Sequence, residues 1–177
     1  SLTSTGSSVS ALGGMTTVGG AVTLSGTSVT SSGAVTTGGG AVTLTGSSSS
    51  ANNFGTLSAG SGAVVMSGTT GVSAGTIDTT GTVSLTATSG NVSATAINNS
   101  SGVTASANTT NIFGFASVNI FSTTVLNAAS ITATANTPGC TSSCGGASIS
   151  LTSSKDINIG TLVANASATT SNAANFN

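Results

Sequence analysis

Short runs in which apolar and small polar residues alternate recur along the whole chain. Residues 1–20 read SLTSTGSSVSALGGMTTVGG and residues 21–40 read AVTLSGTSVTSSGAVTTGGG, and the two blocks align without a gap. The opening run returns as AVTLTG at 41, AVVMSG at 63, TVSLTA at 82, GVTASA at 102, SITATA at 130 and SISLTS at 148. The first apolar positions of these runs are Leu2, Val22, Val42, Val64, Val83, Val103, Ile131 and Ile149. Their spacing stays close to that of the first two blocks, except for one long step between Val103 and Ile131. Inside each run the period is two. Val22/Leu24, Val42/Leu44, Val64/Met66, Val83/Leu85, Val103/Ala105, Ile131/Ala133 and Ile149/Leu151 face one way, and mainly Thr and Ser face the other.

Each block holds two further strand candidates. One lies around Val9, Val29, Val72, Val92 and Ile157; the other lies around Met15, Val35, Leu57, Ile77, Ile97, Val125 and Leu162. Gly-rich turns separate them, and neither composition nor periodicity favours helix. A unit this short cannot bury its apolar side alone, so like units must stack. The pattern predicts an all-β chain folded as one parallel β-solenoid over residues 1–177, with about 20 residues and three short strands per turn. About eight turns at about 4.8 Å each make a rod roughly 40 Å long. An enlarged turn is expected at 108–129 and a cysteine-bearing loop at 136–146.

Two segments, ISLTSSKDINIGTLVANAS at 149–167 and TIDTTGTVSLTATSGNVSATAI at 76–97, resemble the haemagglutinin-type repeats of filamentous-haemagglutinin-like bacterial exoproteins. The resemblance implies a right-handed β-helix, export across a bacterial envelope, and adhesive or matrix work at the cell surface. The N-terminal secretion domain of that family has no counterpart in these residues.

Composition narrows the function. The chain has one basic and two acidic side chains, no His, and 37% hydrophobic residues. One Lys offers no footprint for nucleic acid. No run is long and apolar enough for a membrane-spanning helix, and five Phe are too few for the aromatic girdles of a membrane barrel. Catalysis is not expected, because Asp78 and Asp156 are the only acidic side chains. Four turns separate them by roughly 19 Å, beyond the reach of a paired-carboxylate mechanism. No cofactor or metal is expected. Cys140 and Cys144, in NTPGCTSSCGG, suit either a local disulfide or a strained loop with reduced thiols.

Phe113, Phe115 and Phe121 lie in NIFGFASVNIF at 111–121, and they either fill a widened core or protrude as a subunit contact. Ser1 and Leu2 belong to a run that already matches later blocks, and ATTSNAANFN at 168–177, with Phe176, reads as a ninth turn. Two readings follow: head-to-tail stacking of copies into a filament, or a stretch of a longer solenoid. The expected partner is therefore the chain itself, with glycans or a host surface as further candidates for an adhesin. Asn91, Asn98, Asn99, Asn108 and Asn165 open glycosylation sequons, which a chain this rich in Asn, Ser and Thr contains by chance. The outward ladder Thr23/Ser25, Thr43/Thr45, Val65/Ser67, Ser84/Thr86, Thr104/Ser106, Thr132/Thr134 and Ser150/Thr152 makes ice binding a further alternative. Filament subunit is the first expectation, adhesin segment the second and ice binder the third, all extracellular.

Overall fold

A computed structural model of the chain describes residues 1–99, 102–109, 116–122, 126–137 and 145–168. These residues form strands and turns only. In chain order the strands are β1 (Leu2–Thr3), β2 (Val9–Ala11), β3 (Met15–Thr16), β4 (Val22–Gly26), β5 (Val29–Ser31), β6 (Val35–Thr36), β7 (Val42–Gly46), β8 (Ser50–Gly60) and β9 (Val64–Gly68). They continue with β10 (Gly71–Thr79), β11 (Val83–Ala87), β12 (Asn91–Asn99), β13 (Val103–Thr109), β14 (Ala116–Ser122), β15 (Leu126–Thr137), β16 (Ala147–Ser153) and β17 (Ile157–Ala168).

The strands fall into two sheets, and every pairing is parallel. The first sheet runs β1-β4-β7-β9-β11-β13-β15-β17. The second runs β16-β14-β12-β10-β8-β5-β2, with β3 and β6 continuing it beside β8. The chain thus visits the two sheets in turn, and each visit lays a strand on its counterpart from the previous round. This is a solenoid-like repeat.

The two-residue alternation explains the core. Each five-residue strand of the first sheet from β4 to β11 buries its first, third and fifth residues. Val22, Val42, Val64, Val83 and Val103 stack as one inward column, and Leu24, Leu44, Met66 and Leu85 as the next. The second sheet answers with Val9, Val29, Ala51, Val72 and Val92, and with Met15, Val35, Leu57, Ile77 and Ile97. These columns belong to one contiguous apolar cluster between the sheets. β-branched and aliphatic residues suit such a pleated, stacked surface.

Glycine occupies a turn position where neighbouring rounds come into close contact. A Cβ on Gly40, Gly62 or Gly81 would run into the backbone carbonyl of Gly20, Gly40 or Gly62, respectively, one round earlier. Beside this ladder, Thr79 donates its hydroxyl to the carbonyls of Gly60 and Gly62 at 3.0 and 2.6 Å and accepts from the Gly81 N–H at 3.0 Å. Thr17 and Thr37 likewise donate to Gly20 O and Gly40 O.

Several expectations need correction. Among the described residues, three separate strands per round occur only in the first two rounds. From the third round on, the second and third strand candidates merge in β8, β10 and β12. Leu2 pairs with Leu24 rather than with Val22, because more chain links β1 to β2 than links β4 to β5. Ile131 pairs with Ala105, and Val103 pairs with Ala128, because β15 reaches back to Leu126 and bulges at its start. Ile149 and Leu151 belong to the second sheet, on Val118 and Ile120, and Ser150 and Thr152 therefore leave the outward ladder of the first. Ile157 and Leu162 lie together in β17, on Leu126 and Ile131. The late steps of the first sheet therefore run from Ala105 to Ile131 and from Ile131 to Leu162, and both are longer than any earlier step in that sheet. Alternation marks the inward residues of a strand equally well for either sheet; it does not say which sheet the strand joins.

Candidate functional site

β1 and β17 are the terminal strands of the first sheet, and among the described residues each has one paired neighbour there. At the β1 end, Leu2, Leu12 and Val18 are 50%, 78% and 100% exposed. A cleft of about 370 Å³ opens there, lined by Ser1, Leu2, Met15, Val22 and Leu24 among others. At the β17 end, Ile157, Leu162 and Val163 are exposed. Leu2 and Leu162 are the first and last rungs of a single column, Leu2-Leu24-Leu44-Met66-Leu85-Ala105-Ile131-Leu162. Among the described residues, the column that is buried at its centre is uncovered at both ends.

Two aromatic residues stand on the outward face of the second sheet. Phe54 is 66% exposed and lies where β8 holds one more residue than β10 between Asn53/Ala74 and Thr56/Thr76. The extra residue cannot join the inward column, so its side chain points to solvent. Phe121, on β14, is 40% exposed and borders a shallow groove with Ser93, Thr95, Asn119, Ser150 and Thr152. Sequence reading picked Phe121 and passed over Phe54, whose signal was the single residue by which β8 outruns its neighbour.

Ser1 and Leu2 of the expected subunit contact lie at the β1 end, far along the stack from Phe121. Phe113, Phe115, Val125 and Phe176 lie outside the described residues, as do Cys140 and Cys144 and most of the ninth turn expected at 168–177. Among the sequon residues, Asn91 and Asn165 are exposed, and Asn98 and Asn108 are partly buried; Asn99 ends β12. Asn91 accepts a hydrogen bond through Oδ1 from the Ser117 N–H at 3.1 Å, bridging β12 to the next round.

Asp78 is exposed on β10, and Asp156 is exposed just before β17, where its carbonyl accepts from the Leu126 N–H at 2.9 Å. Among the described residues no three His, Cys, Asp or Glu side chains gather as a metal site. Among the described residues no helix is long and apolar enough to cross a membrane. In the first sheet, Thr23-Thr43-Val65-Ser84-Thr104 and Ser25-Thr45-Ser67-Thr86-Ser106 run in register as the expected outward ladder. A scan against protein-family models and searches of curated proteins and of solved structures each returned no match to this chain.

Proposed function

We propose that this chain is a non-catalytic structural subunit of an extracellular filament, in which right-handed parallel β-solenoids stack head to tail. The observation that carries the reading is the stacked column Leu24-Leu44-Met66-Leu85, in which each round covers the apolar side of the one before and offers the same surface to the next. Stacking the β17 end of one copy on the β1 end of the next continues that column by the same round-on-round packing. A net charge of −1 sets no long-range repulsion against it. The strong preference of parallel crossovers for the right hand supports that handedness. The resemblance to haemagglutinin-type repeats supports an extracellular, bacterial setting.

Electron microscopy of the purified chain tests this. The expected result is fibres with an axial period near 38 Å, about 4.8 Å for each of the eight strands in the first sheet. Leu2→Asp, which places an unpaired charge in the continued column, should leave folded rods that no longer polymerise. Wild-type chain that stays monomeric at every concentration, or a Leu2→Asp variant that assembles normally, overturns the proposal. The exposed Phe54 and Phe121 favour a second reading, a segment of a cell-surface adhesin that binds glycans or a host surface along its side. Isolated rods carrying that binding would select it.

A further inference from the structure

One inward column of the second sheet departs from the apolar rule. It reads Ala11, Ser31, Asn53, Ala74, Ala94, Ile120, Leu151. Ser31 and Asn53 are adjacent rungs, and both are 0% exposed. Neither Ser31 Oγ nor Asn53 Oδ1 or Nδ2 has a hydrogen-bond partner within the protein. Three polar atoms in one place without partners are costly, and alanine on either side, at Ala11 and Ala74, shows that an apolar residue fits the column. Those alanines are also smaller than the Val, Leu and Ile of the flanking columns, so they crowd the pair least.

We propose that Ser31 and Asn53 hold a water molecule inside the core, and that this hydrated pair fixes the register of the second round on the third. The water donates to Asn53 Oδ1 and accepts from the Ser31 hydroxyl, the two polar partners that a buried water requires at the least. Register matters at this joint. Val9 pairs with Val29 and Val29 with Ala51, so the second step consumes more chain than the first. A slip that moves each residue to the next inward position keeps every inward side chain inward, so apolar columns alone resist it weakly. Such a slip would set Asn53 beside Val29 or Gly33 and separate it from Ser31. A single buried Asn fixes register in coiled coils by the same logic.

Magnetic resonance on the wild-type protein, in solution or as assembled fibres, tests the site directly. A long-lived water should give cross-relaxation to the Asn53 side-chain amide protons. In denaturation, Ser31→Ala and Asn53→Ala should each lower the folding equilibrium constant about tenfold. The double variant should lose less than the product of the two, because both substitutions remove one bridge. Absence of the water signal at Asn53 overturns the proposal, as does either single variant matching or exceeding the wild type in stability. If a variant fails to fold, the wild-type spectrum decides alone.

Discussion

Leu44→Ala removes two methyl groups and the methine that carries them from the middle of the longest inward column. Leu44 is 0% exposed, and its rungs on either side, Leu24 and Met66, are 1% and 0% exposed. Backbone ladders hold both neighbours in place, so the cavity cannot close by a shift of one strand. Large-to-small core changes of this kind cost about 2–5 kcal/mol, and the rigid rungs place this one at about 3–4 kcal/mol. Leu162→Ala, in the same column but 55% exposed at its end, should cost under about 1 kcal/mol in the monomer. Urea denaturation followed by circular dichroism, in the Leu2→Asp background to suppress assembly, measures both. Because stability in a stack passes from neighbour to neighbour, Leu44→Ala should also uncouple the first two rounds, which then exchange their amide hydrogens sooner than the rest. A cost below about 1 kcal/mol for Leu44→Ala, or equal costs at the two positions, would refute the stacked-column account.

Two further substitutions probe the turns. Gly62→Ala drives a Cβ into the Gly40 carbonyl and should destabilise the chain by more than about 2 kcal/mol, whereas Gly6→Ala, which meets nothing within 4 Å, should be close to neutral. Thermal unfolding of the pair shows whether close approach of successive rounds, rather than glycine content, sets the turn. Thr79→Val keeps the shape but removes the hydroxyl that serves Gly60, Gly62 and Gly81, and the same assay should report a loss of about 1–3 kcal/mol.

The columns from Val22 to Val103 were legible in the sequence because apolar pairs on alternate positions, repeated at a nearly constant interval, leave one stacking arrangement open. Beyond Val103 the same signal misled. Ile149 and Leu151 alternate as cleanly as Val22 and Leu24, yet the strand that holds them lies on β14 in the second sheet. Sheet membership depends on how much chain the preceding turns consume, and the lengthened steps to Ile131 and then to Leu162 broke the count. Phe121 stood out as an aromatic in an unusual segment. Ser31 and Asn53 did not, since polar residues at inward positions look like any others in a chain full of Ser and Asn. Moving one inward position on from Val29 and Ala51 would have exposed them.

Every ladder between rounds runs along the stack, and this decides how the rod meets force. Tension applied between its two ends loads those hydrogen bonds one round after another, in series. The end round peels first and the rest follow in order. Each round released trades about 4.8 Å of rod for a strand of about 20 residues, which extends to roughly 70 Å. A solenoid of this design yields in small steps and lengthens many-fold before it breaks, so it behaves as an extensible tether that absorbs work along its axis.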